Sequence, residues 1–272
     1  MDRTRYTPGG PGSPGGAEPV ARLSATFGPA GLVRAYAEAP WKLFGPLVGP
    51  APEYALTNTT AGILAGDRLA AEFHLLDGVR LRLAAPAATR VHTMAPGQSA
   101  GQSITFHLAA GAALTYWPHQ LIPYAGADYR QETVFRLDPA ASLVAGELLT
   151  PGRTAFGEAF AYSALRLRTH IYLGPSLVLA DRPLLRPGAE GGLGRPGMLA
   201  GYSHLGSLYL AGAAAATADL EGLADLLAEL PPGVAAGISR PHPGLIVARV
   251  LGTDAEAVAT ILERLAPGLV RA

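Results

Sequence analysis

The sequence predicts a mainly β protein: a β-superhelix (β-helix-like) or layered-sheet body with a small α/β C-terminal part containing two helices. Three observations carry that prediction. Apolar and polar residues alternate with period two from about residue 20 to residue 210, bounded by Gly, Pro and Asp turns. Turn signals that precede an apolar strand recur about every 30 residues, as DGVRL at 77, AGAAL at 110, DPAASL at 138 and GPSL at 174. A chain that winds strand, turn, strand with such a period buries each coil against its neighbours, which favours stacked coils or layered sheets over a closed barrel. The final third then changes to a helical period.

Residues 1–19 are dominated by Gly, Pro and Ser, a composition that buries too little surface to offset chain entropy, and are expected to form a disordered tail. Residues 20–272 are expected to form one domain, with a β body over 20–210 and a helix-containing part over 211–272. Within the body, Ile104, Phe106 and Leu108 point inward while Ser103, Thr105 and His107 face solvent. In LRLRTHIYL the inward set is Leu165, Leu167, Thr169, Ile171 and Leu173. In the last part, 219–230 (DLEGLADLLAEL) carries leucines at helical spacing and is stopped by Pro231 and Pro232. The run 244–251 reads as a buried strand, and 253–265 as a second helix with Thr253 or Asp254 at its N-cap.

Composition narrows the function classes. Lys plus Arg and Asp plus Glu are both 21 in 272 residues, so no net field draws in a nucleic-acid backbone or an anionic membrane. Cysteine is absent, which removes disulfides, thiolate catalysis and cysteine metal cages and leaves oxygen or imidazole for any metal. The N-terminus lacks the apolar core of a signal peptide, and no uncharged apolar stretch of about 18 residues follows, so a cytoplasmic location is expected.

Several motifs carry no chemistry. AGILAGDRL (61–69) lacks the Lys-Ser/Thr of a phosphate loop, and GLGRPG (192–197) matches a dinucleotide fingerprint only formally, with a proline inside it and no helix behind it. The seven histidines are His74, His92, His107, His119, His170, His204 and His242. They show no metal-ligand spacing, and no nucleophile elbow is present.

The acids are more informative. Asp67, Glu147, Glu158 and Asp181 sit in apolar or small-residue surroundings, where an unpaired buried carboxylate costs several kcal/mol. Two readings stay open. In one, each acid has a local partner: Asp67 with Arg68 or Arg90, Glu147 with Arg153, Asp181 with Arg182. In the other, the acids line a hydrated internal channel suited to transient passage of a divalent cation.

The ordered set TNTTAGILAGDRL, LDGVRLRLAAPAATRVHTM, LAAGAALTYWPHQLIPYAGADYRQET, LVAGELLTPGRTAFGEAF, LRLRTHIYLGPSLVLADRPLL and AAGISRPHPGLIVARVLGTDAEAV resembles the UreD (UreH) family of urease accessory proteins across roughly residues 20–272. The resemblance implies a non-catalytic scaffold or chaperone of metallocentre assembly. Such a protein binds UreF, through it the GTPase UreG, and the urease apoprotein, forming a dimer of heteromeric complexes. It further implies no tightly bound cofactor but nickel in transit through an internal tunnel to the urease active site. The family's acid in its GGxxGGD segment falls on Asp67, beside Arg68, and another tunnel acid falls on Asp181; Glu147 and Glu158 join them as candidates for the nickel path.

The family's four glycines read Ala61, Gly62, Ala65 and Gly66 here, a change that requires negative φ at both alanines. Its Pro-Gln-acid reads Pro118, His119 and Gln120, which removes one carboxylate. The Tyr and Arg residues of YAGADYRQE and the GYSHLGSLY stretch are expected at the UreF-facing surface, because aromatics and Arg are enriched at interface centres. The alternatives are an independent hydrolase pairing Asp67 or Asp181 with His92 or His119, and a metal-free β interaction module.

Overall fold

The computed structural model describes residues 20–47, 52–189, 192–195 and 197–266, so the expected tail over 1–19 lies outside the described residues. The strands are β1 (Ala21–Gly28), β2 (Gly31–Ala37), β3 (Trp41–Leu47), β4 (Glu53–Asn58), β5 (Arg68–Leu75), β6 (Arg80–Ala84), β7 (Thr89–Val91), β8 (Ala100–Leu108) and β9 (Ala113–Trp117). They continue as β10 (Leu121–Pro123), β11 (Asp128–Leu137), β12 (Ser142–Leu149), β13 (Ala164–Leu173), β14 (Ser176–Asp181), β15 (Leu184–Leu185), β16 (His204–Gly212), β17 (Val234–His242) and β18 (Leu245–Gly252). The α-helices are α1 (Ala213–Thr217), α2 (Leu220–Asp225) and α3 (Ala255–Leu265).

The strands form two sheets, wound as a β-solenoid. The first has the order β14-β13-β11-β8-β5-β1-β2, with β15 beside β13; the second has the order β17-β18-β16-β12-β9-β6-β4-β3. Strands β5, β8, β11 and β13 run parallel, as do β4, β6, β9 and β12. Each coil leaves the first sheet at a turn, crosses to the second, passes a corner where β7 and β10 pair in parallel, and returns through a loop. Leu75, Leu108, Leu137 and Leu173 stand level across the first sheet, so successive coils differ by 33, 29 and 36 residues (75 to 108, 108 to 137, 137 to 173).

Three of the four recurring turn signals, at 77, 110 and 138, are these crossings between sheets. The fourth, at Gly174, is a hairpin: β14 folds back antiparallel on β13 and ends the sheet. The alternation predicted for β8 holds, with Ile104, Phe106 and Leu108 buried. Between the sheets, the rings of Phe73, Phe106 and Phe135 stack at 5.1 Å steps, since parallel pairing repeats the same inward position coil after coil. A single buried side chain of this size is worth roughly 1.5–3 kcal/mol, so this seam is a principal source of cohesion between coils.

Among the described residues the C-terminal part contains three helices where two were expected. Leucine spacing favoured a helix over 219–230, but the regular turn covers only Leu220–Asp225; Asp219 makes no capping hydrogen bond and Gly222 weakens the centre. The short α1 and the strand β17 carried too little periodicity to be read. For α3 the reading is close: Asp254 caps it by accepting from the N–H groups of Glu256 and Ala257, both at 3.0 Å. Val258, Ile261, Leu262 and Leu265 of α3 pack with Leu208, Leu210 and Val250 on the outer face of the second sheet. Among the described residues no helix is long and apolar enough to cross a membrane.

Candidate functional site

Beside the phenylalanine seam the interior turns polar. Gln102 pairs across β8 and β11 with Gln131, and the next inward row contains Thr133, Thr169 and Asp181 in register. Facing them from the second sheet are Glu147 on β12, level with Ser207 on β16, which is level with Arg249 on β18. Thr133, Thr169 and Ser207 are buried.

Two of the four predicted acids meet here. Tyr209 Oη donates to Asp181 Oδ2 at 2.7 Å and lies 3.4 Å from Glu147 Oε2. Thr169 Oγ1 donates to Glu147 Oε1 at 3.1 Å. Arg249 forms an ion pair with Asp181 and donates to Tyr209 Oη at 3.1 Å. The local partners considered for these acids are therefore replaced: Asp181 takes Arg249 in place of Arg182, and Arg182 Nε instead lies 3.2 Å from His170. Among the described residues no guanidinium forms an ion pair with Glu147. It is half-buried and borders a small cavity of about 50 Å³. Burial, the largest effect, pushes its pKa up to about 7, and the nearby Asp181 charge adds to the rise against the opposing hydrogen bond from Thr169. Burial likewise raises the Tyr209 hydroxyl well above its ordinary value, so it stays protonated as a donor.

A second cavity of about 140 Å³ lies between Trp41, Asn58, the loop residues Ala61, Gly62 and Ile63, and Arg90. Both cavities are lined by Thr89, Gln102, Tyr116 and Pro118, so they share a wall. Trp41 Nε1 at the larger cavity and Thr133 Oγ1 have no protein hydrogen-bond partner, and buried donors of this kind are normally met by water.

Asp67 and Glu158 serve the return loops. Asp67 Oδ2 accepts from the N–H of Leu64 at 2.8 Å, closing the turn that AGILAGDRL makes before β5. Arg68 reaches back to the Gly66 carbonyl at 3.1 Å and not to Asp67, so the Asp67–Arg68 pair considered from the sequence does not form. Gly62 has φ +141°, and a Cβ there would lie 2.4 Å from the Arg90 carbonyl, which accepts from Ile63 N–H at 2.7 Å. Gly66 also has positive φ, whereas the positive-φ non-glycine residues among those described are Phe160 and Ala200; Ala61 and Ala65 thus meet the condition for replacing glycine.

Glu158 pairs with Arg153, Nε at 2.9 Å, and accepts from Ala125 N–H at 3.2 Å. Arg153 was the partner considered for Glu147. The guanidinium of Arg153 lies 4.0 Å from the Tyr124 ring, that ring is 4.9 Å from His92, and His92 Nε2 is 3.1 Å from the Ala61 carbonyl. One ladder thus ties four successive loops. His92 is occupied in this ladder, and His119 Nδ1 accepts from Gln120 N–H, so neither is engaged with the acids that a hydrolase reading required.

One further expectation is corrected. Tyr129 and Tyr209, proposed for a partner-facing surface, are fully buried, because strand parity turns both inward. His107 does lie on a solvent-facing side as expected, and there it joins a group with Glu72 and His74 that linear spacing could not reveal. The segment 192–197 shows no strand-to-helix step over its described residues; residue 196 lies outside them.

Comparison with known proteins gives the family. A family model described as "UreD urease accessory protein" matches residues 18–271. The chain belongs to the UreD family. UreD proteins similar to it include one from Actinomyces naeslundii, 38% identical over 202 residues, covering 74% of this chain and 73% of that protein. Another is from Arthrobacter sp. (strain FB24), 37% identical over 161 residues, 58% of this chain and 54% of that protein. A third, from Herpetosiphon aurantiacus, is 37% identical over 155 residues, 57% of this chain and 54% of that protein. Each is named a urease accessory protein UreD.

Proposed function

We propose that this UreD-family chain acts in urease maturation as a non-catalytic scaffold. In this reading it engages UreF, and through it UreG, together with the urease apoprotein, and helps nickel reach the urease active site through its own interior. The observation that carries the reading is the pair of adjoining cavities that share Thr89, Gln102, Tyr116 and Pro118, with Glu147 bordering the smaller one. A water needs about 10–15 Å³ of such space, so volumes of about 140 and 50 Å³ accommodate a hydrated path. Oxygen donors and water hold a late divalent cation less firmly than imidazole or thiolate cages and so suit transit better than capture.

The four acids divide the work. Glu147 and Asp181 offer carboxylate oxygens in the polar layer. Asp67 holds the loop whose Ala61, Gly62 and Ile63 wall the larger cavity, and Glu158 locks the loop ladder through Arg153.

The test is urease activation in cells that supply the urease subunits and the other accessory proteins. A Glu147→Gln, Asp181→Asn double variant is expected to assemble with its partners in pull-downs yet to lose most activation at limiting nickel. Normal activation at limiting nickel with assembly intact would remove the interior route. An Asp67→Ala variant is expected to lose loop order and assembly together.

A further inference from the structure

We propose that Glu72, His74 and His107 form a binding site for a divalent late transition-metal ion on the outer face of the first sheet. Parallel pairing of β5 with β8 sets His74 opposite His107, and Glu72, two residues before His74, shares their face. The imidazoles lie face to face with ring centres 4.5 Å apart and planes 5° from parallel. Glu72 Oε1 is 2.9 Å from His107 Nε2 and 3.5 Å from His74 Nε2, and all three potential ligand atoms lie within 4.8 Å of one another.

Donors bonded to one ion at about 2.1 Å stand roughly 3.0–3.4 Å apart for tetrahedral or octahedral angles. The two carboxylate–imidazole spacings bracket that range, and the ring nitrogens lie within 4.8 Å of each other, so an ion would be held once side-chain rotation turns the two parallel rings toward it. The side chains are 36%, 36% and 40% exposed, which gives an ion access and leaves coordination positions for water. Two imidazoles with one carboxylate select nickel, zinc, copper or cobalt over magnesium or calcium.

The surroundings fit. Thr26 flanks His74 in the register, and Thr105 stands beside Glu72, so small hydroxyl-bearing side chains border the group on these sides. Arg136 stands next to His107, but its guanidinium sits 4.5 Å from the Tyr172 ring. The site stands on its own residues; its use as a place where nickel first meets the chain rests on the function proposed above.

The test uses the untagged full-length chain, stripped of metal, titrated calorimetrically with Ni²⁺ alone and with Zn²⁺ alone at neutral pH. The wild type is expected to bind one equivalent more than a His74→Ala, His107→Ala double variant, and each single variant to bind this equivalent at least tenfold more weakly. Nuclear magnetic resonance of the wild type, which needs no variant, is expected to show substoichiometric Ni²⁺ broadening the ring signals of His74 and His107. Equal stoichiometry and affinity in wild type and double variant, or ring signals untouched by Ni²⁺, would overturn the site. Because these readouts require neither urease nor any partner, their failure leaves the activation experiment standing. Normal activation by the acid variants of the interior, which would remove the interior route, conversely leaves these titrations standing.

Discussion

Replacing Glu147 by Gln should make the protein more stable at alkaline pH and leave it nearly unchanged at acid pH. The Glu147 carboxyl titrates at about 7 in the folded protein against an ordinary 4.5, with burial the main cause. Between those values the folded state holds a proton that the unfolded chain has released, so stability falls as pH rises. Each pH unit across this window is worth about 1.4 kcal/mol, so the penalty accumulates to roughly 3 kcal/mol by pH 8. Glutamine does not titrate, and its amide can still accept from Thr169 and donate toward Tyr209. The difference between variant and wild type isolates this one group, since Glu72, whose carboxyl is held low, contributes equally to both. Urea unfolding followed by tryptophan fluorescence at half-unit steps from pH 4 to 8 measures it. With a slope of about 3 kcal/mol/M, the variant's midpoint should pull ahead by about 1 M between pH 4 and pH 8. Parallel midpoint profiles would refute the enclosure of Glu147 and, with it, the polar layer as described.

Two further outcomes follow from the geometry. Gly62→Ala, which forces a side chain onto φ +141° and against the Arg90 carbonyl, should cost on the order of 2–4 kcal/mol in chemical denaturation. Asp254→Ala should lower stability by about 1 kcal/mol through loss of two backbone hydrogen bonds at the start of α3, and Asp254→Asn should restore most of it.

Much of the architecture was legible because a solenoid repeats a local rule. Alternation located β8 and β13, and the turns at Gly78 and Gly111 stood out because a coil must reverse there with positive φ. The hairpin at Gly174 carries the same local signal as the sheet-crossing turns, so only its neighbours distinguish it. The site was half legible. Burial cost singled out Glu147 and Asp181, but their partners could not be found by looking nearby: Arg249 stands 68 residues from Asp181, and Tyr209 stands 62 from Glu147. The same distance effect hid the metal-ligand group, where His107 and Glu72 are 35 residues apart and meet only through the register of two parallel strands. Asp67 drew notice for its apolar setting, yet its task is to tie a turn through a backbone N–H three residues earlier.

The unequal coils of 33, 29 and 36 residues have an evolutionary consequence. Insertions and deletions in the return loops leave the strand register unchanged, because every strand re-enters the sheet at the same level. A single residue added within β8 or β11 would instead exchange the two faces of that rung, turning imidazole and guanidinium inward and phenylalanine out to water. Natural variants of this chain should therefore differ in length at the corners, while the rungs keep their residue count.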